Sequence, residues 1–181
     1  LFYHVVPKED AYEQAKDYIR KRPKDSGIIY CQSRNSAENI AEKLRKDGFR
    51  ALPYHAGMDA QQRSENQDLF IKDDVEIIVA TIAFGMGINK PNVRYVIHYD
   101  MPKNIEGYYQ ETGRAGRDSL DSDCILFFSY GDRKKIEALI EKSPNPQKKA
   151  IAYRKLGDMI KFCESFECRR KSLLGYFGEM R

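Results

Sequence analysis

The 181-residue chain has no Trp, only four Cys and only three His. A chain of this size buries a core without disulfides, so a cystine-built fold is excluded and reduced thiols are expected. No apolar run approaches the roughly 18–20 residues that cross a bilayer, which excludes a membrane-spanning helix; no membrane partner is expected. Leu1-Phe2-Tyr3-His4-Val5-Val6-Pro7 has neither a basic leader nor a long apolar stretch, so no secretory signal is expected. It also lacks an initiator Met, and the chain reads as a piece of a longer protein. Internal repeats and low-complexity tracts are absent. Two further absences bear on chemistry. No G-x-x-x-x-G-K-[ST] loop occurs, and no Asp-Glu pair follows a strand-like run to hold Mg²⁺.

What is present is an ordinary globular composition, 41% hydrophobic and 32% charged, with a net charge of +4. Residues 1–148 hold 23 Lys and Arg against 23 Asp and Glu; residues 149–181 hold 8 against 4. The whole excess therefore lies in the last stretch. That placement suits a nucleic-acid partner and equally suits a solvated helical face.

Hydrophobic periodicity alternates between two kinds. Helices are expected over 7–22, with Pro7 in the first turn, and over 33–47, with Asn35 and Glu38 as a capping box and Gly48 as the stop. Further helices are expected over 59–72, capped by Asp59, and over 104–112. Nearly all-apolar runs at 27–31, 75–80, 93–98 and 124–128, with 50–54, read as strands covered on both faces. Beyond Gly131 the pattern is helical, interrupted at Pro144 and Pro146. Strands alternating with helices imply β-α-β units: an α/β fold with a parallel sheet, helices on both faces and a helical extension. A boundary is expected near Ser143-Pro144-Asn145-Pro146, dividing the chain into 1–143 and 144–181.

Ligands of open parallel sheets sit beyond the carboxyl ends of the strands, so the residues there were weighed first. Gln32-Ser33-Arg34-Asn35 opens a helix; its free N–H groups, hydroxyl and guanidinium fit a phosphate contact, and also fit an ordinary N-cap. His55 follows a strand, where a lone His is more often a structural hydrogen-bonder than a catalyst. Thr81 to Pro91 holds Gly85 and Gly87 two apart, a sign of close backbone approach, without the third Gly of a dinucleotide fingerprint. Tyr108 to Asp118 is the most informative stretch. Arg114 and Arg117 lie three apart among Gly113 and Gly116. A core has no use for two guanidinium groups, and a solvated face needs no glycines beside them. Such arginines suit phosphate recognition and charge neutralisation in phosphoryl transfer. They address a nucleotide that this chain cannot cradle alone.

Taken together, these stretches resemble the second RecA-like domain of superfamily-2 helicases, and closely the RecQ family of ATP-dependent DNA helicases. Gly27-Ile28-Ile29-Tyr30-Cys31 with Ser33-Arg34 is similar to motif IV, and Tyr54-His55-Ala56-Gly57-Met58 to motif IVa. Ala80 through Pro91 is similar to motif V, and Tyr109-Gln110-Glu111-Thr112-Gly113-Arg114-Ala115-Gly116-Arg117-Asp118 to motif VI. Cys168-Arg169-Arg170 with Tyr176-Phe177-Gly178-Glu179 resembles the start of that family's zinc-binding subdomain.

The resemblance implies a three-layer RecA-like lobe of a 3′–5′ DNA helicase acting in recombination and repair, in the cytoplasm and associated with the chromosome. It implies ATP and Mg²⁺ in a cleft completed by a missing N-terminal RecA-like domain, with single-stranded and partly duplex DNA as partner. Arg117 would be the arginine finger, with Arg114 beside it and Gln110 orienting the site. Gly87 and Asn89 would also lie at the nucleotide; many relatives carry Asp where this chain has Asn89. Ser33, Arg34, Asn35, His55 and Thr81 would hold DNA phosphates. Cys168 would be one of four zinc ligands, and since one thiolate cannot make a tetrahedral site, the chain by itself is expected to be metal-free. Without the missing lobe, which would bring the phosphate loop, it is also expected to be inactive. Two other classes fit less well. A stand-alone nucleic-acid binder has no need of paired γ-phosphate arginines, and a nucleotide enzyme of another class would need its own phosphate loop.

Overall fold

In the computed structural model, which describes residues 1–81 and 88–179, β2 (Ser26–Tyr30) sits at the centre of a sheet covered on both faces. Its residues alternate between two cores. Ile29 and Cys31 meet the apolar stripes of α1 (Ala11–Arg20) and α2 (Arg34–Lys46). Ile28 and Tyr30 face the other way, with Phe70 of α3 (Ala60–Ile71). This period of two, apolar on both sides, is why the run reads as continuously hydrophobic. The remaining strands are β1 (Phe2–Pro7), β3 (Ala51–Tyr54), β4 (Ile77–Ala80), β5 (Val93–His98) and β6 (Asp123–Phe128). The order is β1-β6-β5-β2-β4-β3, and every pairing is parallel. The fold is the expected three-layer RecA-like one.

The last helices, α4 (Ile105–Thr112), α5 (Tyr130–Glu141), α6 (Pro146–Glu164) and α7 (Arg169–Tyr176), form a third core. Tyr108 of α4 and Leu126 of β6 join it to the sheet, with Ile136, Leu156, Met159 and Phe162 around them. Each such fully buried side chain contributes roughly 1.5–3 kcal/mol. The Tyr108 and Phe162 rings lie 5.4 Å apart, and Lys155 pairs with Glu106 at 2.9 Å.

Several local expectations are corrected. Phe2–Pro7 is an edge strand, and Pro7 ends it rather than opening a helix. An edge strand is half exposed, so its alternation is weak, and its last residue needs no N–H. Asp10 caps α1 by accepting from the Glu13 N–H at 3.1 Å. The Asn35–Glu38 capping box is absent; Ser33 caps α2 by accepting from the Ser36 N–H at 3.1 Å. β4 begins at Ile77, because the Val75 N–H instead closes the end of α3 on the Leu69 carbonyl. Pro146 is the first turn of α6, where a missing N–H costs nothing, and an unexpected break at 165–168 separates α6 from α7. The caps by Asp59 and Asn104 stand where expected.

Candidate functional site

Winding reverses beside β2: β3 and β4 lie on one side, β5 and β6 on the other. At that switch, beyond the carboxyl ends of β2, β4 and β5, is a cleft of about 490 Å³. Such crevices are where open α/β sheets bind ligands. Arg34, Ala56 and Thr81 line it from one direction, Asn104, Gln110 and Arg114 from the other. Sequence elements far apart in the chain are thus brought to one depression.

The two arginines are presented differently. Gly116 holds a φ of +64°, which favours glycine, and its N–H donates to the Val93 carbonyl at 3.0 Å. That kink follows α4 directly and separates the two side chains. Arg117 Nε donates to the Gly113 carbonyl at 3.2 Å and Nη1 to the Ile88 carbonyl at 3.0 Å. Both acceptors are neutral. They orient the guanidinium and leave its charge uncompensated. Arg114 is half-buried; its N–H donates to the Glu111 carbonyl at 3.2 Å, while its guanidinium has no hydrogen bond or ion pair among the described residues. Both guanidiniums act on the buried Tyr30 hydroxyl. Burial and then Glu111 push that phenol up, while Arg114 and Arg117 pull it down.

The other expected residues are distributed as follows. Arg34 is exposed, lines the cleft and has no ion pair among the described residues. Thr81 lines the same cleft, its N–H donating to the Tyr54 carbonyl at 3.2 Å. Ser33 Oγ is engaged as the helix cap and donates to Ser36 Oγ at 2.8 Å. Asn35 is exposed on the first turn of α2. His55 is buried, with Nε2 at 2.7 Å from Glu38 Oε1 and Nδ1 accepting from the Gly57 N–H at 3.1 Å. Its ring has no donor left for a phosphate. Gln110 lines the cleft, and Asn89 is exposed. Gly87 lies outside the described residues.

Sequence reasoning missed two supports of this cleft. Lys8, just past β1, reaches Asp100 at 2.9 Å and Asp132 at 3.1 Å. Asp100 also accepts from the Gln32 N–H at 2.9 Å, and Asp132 from the Met101 N–H at 3.2 Å. Despite burial, the two carboxylates hold the Lys8 ammonium above its ordinary range. The hub ties the start of α2 to the β5–α4 loop and to α5. His98, buried at the end of β5, bonds Glu111 through Nε2 at 2.5 Å and stacks on Tyr30 at 5.3 Å. It anchors α4 one turn before Arg114. The only signal was His98 closing the 93–98 run and Asp100 just beyond it; Lys8 lay in a stretch read as a helix, and nothing in the pattern pairs these residues with partners.

Cys168 is exposed at the start of α7, where backbone N–H groups of Lys171 and Arg170 lower its thiol below the ordinary range. Burial pushes Cys163 up to about 12. Among the described residues no three His, Cys, Asp or Glu side chains gather to hold a metal. One exposed thiol does not fit a complete zinc site.

The helicase conserved C-terminal domain matches residues 10–119, and the RecQ zinc-binding domain matches residues 130–181. The chain belongs to the RecQ family of helicase C-terminal domains. Among RecQ relatives, the RecQ-like DNA helicase BLM of Xenopus laevis is 50% identical over 99% of this chain. The ATP-dependent DNA helicase RecQ of Pasteurella multocida is 47% identical over 98%, and that of Bacillus subtilis 40% identical over 99%. The chain spans 14%, 28% and 30% of those proteins respectively. The fold also matches Saccharomyces cerevisiae Dbp5, with a TM-score of 0.65 at 19% identity, covering 86% of this chain and 45% of the other. Escherichia coli DEAD-box protein SrmB gives 0.63 at 20% identity, covering 86% and 82%. Among the described residues, no helix is long and apolar enough to cross a membrane.

Proposed function

We propose that this RecQ-family chain is the second RecA-like lobe of a 3′–5′ ATP-dependent DNA helicase, with residues 144–181 beginning its zinc-binding subdomain. One observation carries the reading. Arg117 is aimed by neutral carbonyls and the Arg114 guanidinium has no ion pair among the described residues, so two full charges stand uncancelled just beyond α4. A triphosphate seated in a preceding lobe would supply the missing anion, and Mg²⁺ would enter with it. Arg117 acts as the finger on the γ-phosphate, Arg114 grips beside it, and Gln110 orients the attacking water. Asn89 reaches the nucleotide ribose. Arg34 and Thr81, with Ser33 and Asn35 at the start of α2, hold single-stranded DNA by its backbone, without reading sequence. Losing the γ-phosphate releases both arginines, and the lobes open. Cys168, already biased toward thiolate, supplies one zinc ligand once three others join it.

The test is DNA-stimulated ATP hydrolysis by the full-length protein. Arg117→Ala lowers kcat by roughly 10³-fold or more, with DNA affinity retained. Arg117→Lys does not recover it, because a compact tetrahedral ammonium lacks the planar fork that spans the two carbonyls on one side while presenting a second edge to the phosphate. Hydrolysis at the parent rate in Arg117→Ala would remove the finger assignment.

A further inference from the structure

Arg34 opens α2, and Glu38 lies one turn further along on the same face. At this spacing a carboxylate commonly pairs with a guanidinium and cancels its charge. Here it does not: Glu38 Oε1 instead accepts from His55 Nε2 at 2.7 Å. The tautomer follows from the other ring nitrogen. The Gly57 N–H donates to His55 Nδ1 at 3.1 Å, so Nδ1 carries no proton and Nε2 does. The same turn meets Arg34. A Cβ on Gly57 would come 3.0 Å from Arg34 Cδ and 3.1 Å from its Nη1. The guanidinium therefore lies along bare backbone, at the lip of the cleft that Arg34 and Ala56 line.

We infer that His55 is a positioning residue for a nucleic-acid phosphate grip at Arg34: it engages Glu38 and holds the Gly57 turn under the guanidinium. Arg34 thereby stays free of a contact ion pair with Glu38 and keeps a fixed direction. The inference rests on the reading that Arg34 holds a DNA phosphate. It gives His55 a role that needs no contact with DNA, consistent with a buried ring whose two nitrogens are engaged.

The experiment is fluorescence anisotropy of a labelled oligo-dT strand with the full-length protein across a NaCl series. Arg34→Ala weakens binding by roughly tenfold and makes the log–log salt dependence shallower by about 0.7, one single-strand phosphate contact. His55→Ala weakens it by about threefold with the same flattening, because the freed Glu38 carboxylate now pairs with Arg34. Adding Glu38→Gln to His55→Ala restores most of the affinity, since an amide cannot cancel the charge. Gly57→Ala and then Gly57→Val give a graded loss that approaches Arg34→Ala and is not additive with it. Gly57 is outside the left-handed region, so an added side chain meets no backbone strain; it presses on the two side chains the inference joins, the flexible Arg34 and, at 3.1 Å, His55 Nδ1. Thermal melting checks folding, and if His55→Ala melts early, the Gly57 series decides. Parent-like affinity in Gly57→Val, or no recovery in His55→Ala/Glu38→Gln, overturns the inference while leaving the phosphate reading intact. Parent-like binding by Arg34→Ala removes that reading first, and the inference with it.

Discussion

Gly27 stands opposite Tyr95 in the β2–β5 register, and the Tyr95 ring lies directly over it. A Cβ there would come 1.9 Å from a ring carbon, a distance no relaxation of a buried ring can absorb cheaply. Gly27→Ala is therefore expected to cost about 3 kcal/mol or more in denaturant unfolding. The same ring carries a buried hydroxyl with no hydrogen-bond partner among the described residues. Tyr95→Phe deletes that unpaired group without changing the shape, and should raise stability by about 1 kcal/mol. A drop in the unfolding midpoint of Tyr95→Phe would mean the hydroxyl is satisfied in solution. At this scale the sequence was partly legible. Glycines beside Arg114 and Arg117 marked those side chains as unusual, because no core or solvated face explains the combination. Gly27 read only as part of an apolar run, because nothing in the pattern says which ring lies over it. The engagement of His55 with Glu38 was invisible, since it joins two elements whose separation is set only by the sheet.

Elements are tied at both ends of the sheet by buried charge. The Lys8 hub lies at the carboxyl ends, and a second lies at the opposite ends. There Asp73, in the turn after α3, accepts from Lys90 at 2.6 Å, Ser26 at 3.1 Å and Asn92 at 3.3 Å. Lys90 is 2% exposed, so its ammonium depends on this carboxylate. The Lys90 ammonium in turn holds the Asp73 carboxyl below the ordinary range. A depressed carboxyl stabilises the fold above its unfolded pKa of about 3.9 and loses that contribution as pH falls through its folded value. Asp73→Asn keeps the backbone, since φ is +63° and Asn tolerates that region. It should cost about 1–2 kcal/mol at pH 7, held down by the partial exposure of Asp73. The gap should close in strong acid. A difference independent of pH in urea unfolding between pH 7 and 2.5 would show that charge is not the cause. Helix and strand identities were legible from periodicity, because buried strands of a parallel sheet are apolar on both faces. Caps and hubs were less so: Ser33, Asn35 and Glu38 all suit an N-terminus, and only packing of α2 against β3 selects Ser33.

For the whole molecule, the architecture was the most legible level. Strands alternating with helices leave few arrangements other than a parallel sheet with crossovers. What periodicity could not show was that β1 exists, or that the winding reverses beside β2 and so places the cleft. The completeness of the site is likewise a whole-molecule property. Arg114 and Arg117 offer charge, yet the chain has no phosphate loop of its own. The isolated 181-residue chain is therefore expected to release no phosphate from ATP above background, with or without DNA, in a steady-state assay. Turnover by this chain that survives Arg117→Ala would locate a nucleotide site elsewhere in the molecule.

The pairing of β1 carries a consequence for biosynthesis. Phe2 finds Asp123, and Pro7 finds Phe128, so the strand made earliest can dock only on the one made last. At ~5–20 residues per second, a nascent chain would keep Phe2–Pro7 waiting for on the order of 10 s. During that interval a β-prone segment lacks the strand it pairs with.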